Sequence, residues 1–192
     1  MILCINANAA IDKTVVVNGF VLNAIQRPES VLALPGGKGA NCAKGLKQLG
    51  GLPVVSGWVG GFNGRFIEEG LQQEGIDTAF VYVEAESRTC LSILDPTGGT
   101  LTEIYERGEP IPAGKVEELK AVFRSLVGPG ARCEAVTLSG SLPPGVPDDF
   151  YGQLIGIARA ERVRVFLDSS GEALKKGFEA GGHSLSSRTP GN

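Results

Sequence analysis

The chain has 192 residues, and its 18 Lys and Arg side chains against 21 Asp and Glu give a formal net charge of −3 at pH 7. Hydrophobic residues make up 42% of the sequence, which excludes disorder for most of its length and suits one domain with a buried core. No basic block marks a nucleic-acid or membrane surface, no apolar run approaches the ~18 residues of a spanning helix, and residues 1–6 lack the basic lead of a signal peptide. We therefore expect a cytoplasmic protein that binds neither nucleic acid nor membranes.

Cysteine and histidine content excludes several kinds of active site. The cysteines at positions 4, 42, 90 and 133 are widely spaced, so the sequence has no CxxC metal or redox motif, and we expect buried free thiols. His183 is the single histidine, which excludes a Ser-His-Asp triad and a multi-histidine zinc site. Any chemistry must therefore depend on carboxylates, on Lys and Arg, and on backbone amides of glycine-rich turns.

The predicted elements alternate between strands and helices along most of the chain. Asn63 is expected to cap the second helix and Pro147 to open the fourth. This alternation predicts a parallel sheet wrapped by helices. The strands are expected at residues 1–6, 54–59, 80–83, 135–138 and 163–167, and the helices at residues 40–49, 63–74, 116–127, 147–158 and 172–178.

Two segments, at about residues 12–34 and 88–106, have short strand patterns separated by turn residues. The first contains expected strands at 15–17, 21–22 and 31–34, and the second is a predicted β-hairpin. Together they predict a small separate sheet over one end of the main sheet. Residues 181–192 are mostly Gly and polar residues, which predicts a disordered tail.

The strongest candidate site is the glycine-rich loop of residues 35–41, Pro-Gly-Gly-Lys-Gly-Ala-Asn, between an extended segment and a helix. Its glycines let the backbone approach a ligand, and the start of a helix favours anions. The spacing matches neither a Walker A loop nor a dinucleotide-binding motif. A plain strand-to-helix turn is the alternative interpretation.

Two charged residues outside this loop are further candidates. Asp12 follows the first strand, where a carboxylate would accept hydrogen bonds from neighbouring sugar hydroxyls; the alternative is a solvated turn residue. Arg88 begins a hairpin strand and would grip a phosphate with two N–H groups; the alternative is a charge that protects a sheet edge.

Six motifs in chain order resemble those of the ribokinase-like (PfkB) carbohydrate kinases. The resemblance covers residues 1 to about 180 and is greatest to the branch with 1-phosphofructokinase, tagatose-6-phosphate kinase and the minor 6-phosphofructokinase. The motifs are Asn8-Ala-Ala-Ile-Asp12-Lys-Thr, Gly36-Gly-Lys-Gly-Ala-Asn41, Ser87-Arg-Thr89, Thr102-Glu103, Ser139-Gly-Ser-Leu-Pro-Pro-Gly145 and Asp168-Ser-Ser-Gly-Glu-Ala-Leu174.

The resemblance implies a doubly wound, mostly parallel α/β fold with a small β-sheet lid over a sugar site. Residues 1–180 would form an incomplete domain of this kind, with lid segments at about 12–34 and 84–110. The lid would also form a homodimer interface. The resemblance implies that the sugar phosphate is bound by Asp12, Gly36, Gly37, Lys38, Asn41, Arg88 and Ser139, with Asp12 on the sugar hydroxyls and Lys38 and Arg88 on the phosphate.

The sequence departs from the family pattern in two places. Tyr105-Glu-Arg-Gly108 stands where relatives usually have Asn-Glu-Pro-Gly. After Ala180 the pattern stops, so the Asn-x-x-Glu motif for Mg²⁺ and phosphates and the Gly-Ala-Gly-Asp motif with the general base do not occur. No catalytic base is therefore assigned, and Asp168 is not expected to replace it.

The resemblance implies ATP-dependent phosphorylation of a ketohexose phosphate, namely fructose 1-phosphate, fructose 6-phosphate or tagatose 6-phosphate. ATP and Mg²⁺ are the implied cofactors, although their main binding motifs are missing. This chain would supply mainly the sugar-binding half. One alternative is an inactive sugar-phosphate-binding remnant, as a truncation or frameshift would produce, and another is a different α/β nucleotide-binding module.

Overall fold

The computed structural model describes residues 1–181 and 183–184. The helices and strands follow the predicted alternation, with small differences at their ends. In chain order they are β1 (Ile2–Asn6), β2 (Ala10–Val16), β3 (Ser30–Gly36), α1 (Lys38–Gln48), β4 (Pro53–Gly60), α2 (Gly61–Gln73), β5 (Asp77–Val83), β6 (Arg88–Asp95), β7 (Thr100–Tyr105), α3 (Ala113–Val127), β8 (Ala135–Ser139), α4 (Phe150–Ala160), β9 (Arg164–Asp168), α5 (Gly171–Glu179) and β10 (His183–Ser184).

The main sheet contains six strands in the order β10-β9-β8-β1-β4-β5, and every neighbouring pair is parallel. After β1 the chain adds β4 and β5 on one side of it and then β8, β9 and β10 on the other, so the strand order reverses beside β1. In open parallel sheets, ligands bind at the carboxyl ends of the strands next to such a reversal. The structure therefore confirms the doubly wound sheet and places its expected binding edge at the end of β1.

Helices cover both faces of this sheet. On one face, Leu3 and Ile5 of β1 pack in a core with α3 and α4, where Phe123 and Phe150 are fully buried. On the other face, Cys4 belongs to a second core under α1 and α2. Each fully buried side chain of this size contributes about 2 kcal/mol through removal of apolar surface from water. No helix among the described residues is long and apolar enough to cross a membrane.

A second, four-stranded sheet in the order β3-β2-β6-β7 forms the lid. The β2–β6 pair is parallel and the other two pairs are antiparallel. The prediction of a small separate sheet is confirmed, with β2 beginning at Ala10 and β3 ending at Gly36, two residues beyond each end of the expected segment. The predicted strand at residues 21–22 is wrong: the chain turns there and Asn23 has a positive φ of 58°.

Two predicted helix starts are also wrong. α2 begins at Gly61, and the backbone N–H of Asn63 donates to the carboxylate of Glu86, so the helix start is capped from a distant residue. α4 begins at Phe150, because residues after Pro147 first form a turn in which the Phe150 N–H donates to the Pro147 carbonyl at 2.9 Å.

The prediction of a disordered tail at residues 181–192 is wrong for residues 183 and 184, which form a strand. His183 and Ser184 form the short strand β10, which pairs with Phe166 and Leu167 of β9. A strand after α5 continues the alternation seen earlier in the chain. The prediction for residue 182 and residues 185–192 lies outside the described residues.

Candidate functional site

A cavity of about 590 Å³ lies between the lid and the carboxyl ends of β1, β8 and β9. It is lined by residues from the glycine-rich loop, from both central lid strands and from the turns after β8 and β9. Six of the seven residues singled out from the sequence line this one cavity: Asp12, Gly37, Lys38, Asn41, Arg88 and Ser139.

Gly36, the seventh residue, sets the space available to the Asp12 carboxylate. A Cβ atom built on Gly36 would lie 2.2 Å from Asp12 Cγ and 2.3 Å and 2.4 Å from the two carboxylate oxygens. Non-bonded carbon and oxygen atoms do not approach so closely, because contact begins at about 3.5 Å. Gly36 therefore acts on the cavity indirectly, by leaving room for the side chain that faces it.

Asn6, at the end of β1, holds the glycine-rich loop in place. Its side chain is only 1% exposed; its Nδ2 donates to the Gly36 carbonyl at 3.0 Å and its Oδ1 accepts from the Gly39 N–H at 3.2 Å. Gly37 has φ +99°, and a Cβ there would lie 2.3 Å from Asn6 Oδ1. The sequence analysis did not select Asn6, although a polar residue ending a buried strand is a signal that a side chain fixes neighbouring backbone.

The start of α1 opens on the cavity. The helix begins at Lys38 after the N-cap Gly37, its cap makes no side-chain hydrogen bond, and its first turn contains no acidic residue. The backbone amides of a helix start carry a partial positive charge that attracts anions, although here the Gly39 N–H already donates to Asn6. The partial positive charge of the helix start and the positive charge of the Lys38 side chain therefore both lie at the cavity wall.

Lys38 forms an ion pair with Asp168 at the end of β9. Its Nζ lies 3.3 Å and 3.4 Å from the two carboxylate oxygens. The Lys38 side chain is 52% exposed and that of Asp168 is 32% exposed. Such solvated pairs contribute about 1 kcal/mol or less, so a ligand phosphate can compete for the ammonium group at small cost.

Arg88, at the start of β6, is held rigidly in the cavity wall. Its Nε and Nη2 donate to the Asn8 carbonyl at 3.3 Å and 3.2 Å, and its Nη1 donates to the Glu106 carbonyl at 2.8 Å. These bonds join the loop after β1 to the lid. A guanidinium has five N–H donors, so three bonds to carbonyls leave two N–H groups for a ligand.

A buried tyrosine supports the cavity edge after β8. The Tyr151 hydroxyl lies 3.1 Å from the Gly140 carbonyl oxygen and 3.3 Å from that of Ser139. Ser169 Oγ also donates to the Gly140 carbonyl, at 2.9 Å. Burial raises the pKa of Tyr151, so its hydroxyl keeps the proton and remains a hydrogen-bond donor. These bonds fix the position of Ser139 at the cavity.

The lid contributes a continuous polar face to the cavity. Asp12 pairs with Cys90, and Thr14 pairs with Ser92, so these four residues lie on the same side of β2 and β6. Three of them, Thr14, Cys90 and Ser92, were not selected from the sequence, but the two-residue period of a strand places them beside Asp12 and Arg88. Their position two residues from Asp12 or from Arg88 and Cys90 on the same strand is therefore the signal that identifies them.

Tyr105 completes this lid face where the family pattern usually has Asn. It pairs with Cys90 across β7 and β6 and lines the cavity. Its hydroxyl donates a hydrogen bond to the Glu103 carboxylate, which, with burial, raises the pKa of Tyr105 to about 12. The aromatic ring thus stands at the cavity mouth with its hydroxyl already paired.

No group of three or more His, Cys, Asp or Glu side chains in the described part of the chain is arranged to hold a metal ion. Asp168 is the acidic residue at the end of β9, and it is paired with Lys38. Mg²⁺ typically binds through one or two carboxylates together with water and substrate phosphates, so a cluster of three or more such side chains is not required for it.

Comparison with known proteins identifies relatives that are carbohydrate kinases. A family model described as pfkB family carbohydrate kinase matches residues 5–181. A tagatose-6-phosphate kinase from Staphylococcus epidermidis is 32% identical over 176 residues, which is 92% of this chain and 55% of the relative.

Solved structures agree with this match. A possible 1-phosphofructokinase from Thermotoga maritima superposes with a TM-score of 0.86 at 31% identity, covering 93% of this chain and 57% of that one. Phosphofructokinase-2 from Escherichia coli in complex with fructose-6-phosphate superposes with a TM-score of 0.86 at 26% identity, covering 94% and 58%. The chain thus spans a little over half the length of these relatives. Because the family model covers nearly the whole chain and the fold agrees, this protein belongs to the pfkB family of carbohydrate kinases.

Proposed function

We propose that this chain forms the sugar-phosphate-binding part of an ATP-dependent kinase that acts on a ketohexose phosphate. The single observation that carries the proposal is the meeting of Asp12, Lys38 and Arg88 around one cavity of about 590 Å³. A carboxylate and two cations around one cavity suit a ligand that carries both hydroxyl groups and a phosphate.

The proposed binding mode divides the cavity between the two ends of the ligand. The Asp12 carboxylate accepts hydrogen bonds from sugar hydroxyls, and Asn41 and the backbone beside Gly37 hold the ring. Lys38, Arg88 and the start of α1 bind the phosphate, and Ser139 lines the same end. On binding, Lys38 exchanges its weak ion pair with Asp168 for the doubly charged phosphate.

The names of the relatives support a phosphorylated ketohexose as substrate. One relative is a tagatose-6-phosphate kinase, one is a possible 1-phosphofructokinase, and one was solved with fructose-6-phosphate. We therefore propose tagatose 6-phosphate, fructose 6-phosphate and fructose 1-phosphate as the ligands to test. In the whole reaction, MgATP would supply the phosphoryl group, while the residues of this chain bind and orient its acceptor.

Isothermal titration calorimetry with matched ligand pairs tests this proposal. Tagatose 6-phosphate is compared with tagatose, and fructose 6-phosphate with fructose. We expect each phosphorylated sugar to bind at least ~10-fold more tightly, a difference of about 1.4 kcal/mol, because the cations act on the phosphate alone. Equal affinities within both pairs would contradict the proposal.

An inactive sugar-phosphate-binding remnant is the second candidate for the chain acting alone, since the same cavity residues would bind a sugar phosphate in either case. Incubation of the chain with MgATP and each of the three sugar phosphates, with release of ADP as the readout, separates the two. Sugar-dependent ADP release would exclude the remnant. Binding without turnover would support it.

We further propose that the chain forms a homodimer through the lid. The side of the lid that carries Asp12 also carries four leucines that are 39–57% exposed, Leu32 and Leu34 on β3 and Leu94 and Leu101 on β6 and β7. Contiguous exposed apolar side chains typically mark an interaction surface. One relative, phosphofructokinase-2 from Escherichia coli, is described as tetrameric in an inhibited form.

We also propose a cytoplasmic location. All four cysteines are free thiols, which suits a reducing compartment.

A further inference from the structure

Two thiols meet beneath α1, on the face of the main sheet that α1 and α2 cover. Cys4 lies in the middle of β1 and is fully buried, whereas Cys42 lies in α1 and is partly exposed. Both pack in the core beneath α1 and α2. The proposed sugar-phosphate function uses neither residue.

The packing of α1 on β1 brings these thiols together. A Cβ on Gly39 would lie 2.5 Å from the Ile5 carbonyl oxygen, so the helix lies directly against the strand. α1 connects to β4, whose first residue, Pro53, pairs with Ile2 at the start of β1. The helix therefore runs antiparallel to β1, from the end of that strand back to its start. Cys42 lies one helical turn beyond Gly39, which is about 5 Å along the helix axis. Cys4 lies two residues before Asn6 on the same face of β1, which is about 7 Å along the strand. Both displacements run in the same direction, so the two thiols lie side by side.

The contact between the thiols makes them chemically unequal. The Cys4 thiol donates a hydrogen bond to the Cys42 sulfur, which lowers the pKa of Cys42; that same bond, together with burial, raises the pKa of Cys4. The negative charge of the nearby Asp168 carboxylate raises the pKa of Cys42, but this effect is smaller than the lowering by the Cys4 hydrogen bond. Cys42 therefore loses its proton first, and a thiolate is the reactive form of cysteine.

Thr137 provides a second polar group at this contact. It pairs with Cys4 across β1 and β8 and lies beside both sulfurs. Its Oγ1 is buried, and its interaction with the two sulfurs lowers the pKa of both thiols. A hydroxyl that donates a hydrogen bond to a thiolate stabilises the ionised form of Cys42.

We propose that Cys42 and Cys4 form a reversible disulfide when the protein meets hydrogen peroxide. The Cys42 thiolate attacks the peroxide: an S–O bond forms, the O–O bond breaks, and the leaving hydroxide takes a proton, giving a sulfenic acid and water. The Cys4 sulfur then attacks the Cys42 sulfur; the S–S bond forms, the S–O bond breaks, and the hydroxyl leaves as water with the Cys4 proton. Two thiols are oxidised and one peroxide is reduced to two waters.

Mass spectrometry of the intact chain tests this without any substitution. After treatment with hydrogen peroxide, we expect the mass to fall by about 2 Da, the loss of two hydrogens, and to be restored by dithiothreitol. Trypsin without reduction would then release residues 1–13 joined to residues 39–44. Oxidation that adds oxygen to Cys42 and never yields this joined peptide would overturn the proposal.

Variants test the order of the two steps. In Cys4→Ser we expect the reaction to stop at a sulfenic acid on Cys42 that dimedone labels, and in Cys42→Ser we expect no label on the buried Cys4. Cys133→Ser serves as the matched control, and it should form the joined peptide like the unsubstituted chain. Dimedone labelling of Cys4 in Cys42→Ser would contradict the assignment of Cys42 as the attacking thiol.

Discussion

Asp12 and Gly36 lie on neighbouring strands of the lid, and the carboxylate occupies the space that a Cβ on Gly36 would fill. Gly36→Ala would therefore displace Asp12 without removing any polar group. We expect it to weaken sugar-phosphate binding by ~10- to 100-fold, because a charge-assisted hydrogen bond is worth about 1.5–3 kcal/mol. Calorimetry measures this directly.

Gly45→Ala is the matched control for this substitution. Gly45 lies inside α1 and no atom lies within 4 Å of a Cβ built there, so the added methyl group meets open space. Alanine in a helix is favoured over glycine by about 1 kcal/mol, so this variant should be slightly more stable and bind normally. Equal loss of binding in both variants would show that Asp12 is not the cause.

Lys38 and Arg88 are the two cations that the proposed phosphate contacts. We expect Lys38→Ala and Arg88→Ala each to weaken binding of a ketohexose phosphate by ~10- to 100-fold while changing affinity for the free sugar little, because each removes a charge-assisted bond to phosphate. Lys13→Ala is the control, since Lys13 is exposed and points to the opposite side of β2 from Asp12. Equal losses for sugar and sugar phosphate would rule out the phosphate contacts.

Individual site residues differ in how far the sequence identifies them. Asp12, Lys38 and Arg88 could be selected because charged residues stand out beside strands and glycine-rich loops. For Asn6 the sequence offers only a polar residue at the end of a buried strand, because its two hydrogen bonds go to a loop 30 and 33 residues away along the chain. The Cys4–Cys42 contact likewise follows from the packing of α1 on β1 and has no signature in sequence spacing.

Among the elements, the lid depends on one carboxylate at the end of β6. Asp95 is 5% exposed and accepts hydrogen bonds from the backbone N–H groups of Gly19, Phe20 and Thr97 at 2.8–3.0 Å. Together with a further bond from the Gly98 backbone, which is the largest cause, these bonds lower the pKa of Asp95. The lid hairpin and the loop after β2 are thus joined through an ionised side chain.

This pKa shift gives the lid a defined pH dependence. Because the pKa of Asp95 is lower in the folded state than its unfolded value of about 3.9, its stabilisation is complete above that value and is lost as the pH falls through the folded pKa. We expect Asp95→Asn to accelerate hydrogen exchange in β6, β7 and residues 17–29 at pH 7.

The control for the lid experiment is Asp77→Asn, at the exposed start of β5 in the main sheet. It removes the same charge far from the lid hairpin and should leave lid exchange unchanged. Unchanged exchange in Asp95→Asn would mean that the carboxylate does not hold the lid.

Element boundaries show where sequence reasoning fails. The predicted cap at Asn63 was wrong because the start of α2 is capped by Glu86, which follows a whole helix and strand later. The strand expected at residues 21–22 was wrong because β-forming side chains do not make a strand without a neighbour to pair with. Existence and type of the helices, by contrast, followed from apolar spacing, as in α3, whose buried residues recur every three or four positions.

For the whole molecule, the exposed leucines on the lid predict association. If two lids pack together, a charge at Leu32 or Leu101 would be buried without a partner, at a cost of several kcal/mol. We expect Leu32→Asp and Leu101→Asp to be monomeric when the unsubstituted chain is dimeric by light scattering after size exclusion.

Leu49→Asp controls for the effect of a surface charge. Leu49 is 86% exposed at the end of α1, away from the lid, and its substitution should leave the oligomer intact. Dissociation in Leu49→Asp, or a dimer that survives both lid substitutions, would contradict an interface through the lid.

The overall architecture was accessible from the sequence because two different periods mark its two sheets. The alternation of strands and helices predicts the parallel sheet, and the run of short strands predicts the lid. The order β10-β9-β8-β1-β4-β5 does not follow from periodicity, since any one strand pattern fits several places in a sheet. The resemblance of six short motifs to one family supplied the doubly wound arrangement, and the fold confirms it.

The central proposal is that one cavity binds a phosphorylated ketohexose between the glycine-rich loop and the lid. A crystal structure of the chain with tagatose 6-phosphate measures this directly. We predict the phosphate within hydrogen-bond distance of Lys38 Nζ and the Arg88 guanidinium, with sugar hydroxyls on the Asp12 carboxylate. A ligand bound elsewhere, or turned so that its phosphate faces Asp12, would contradict the account.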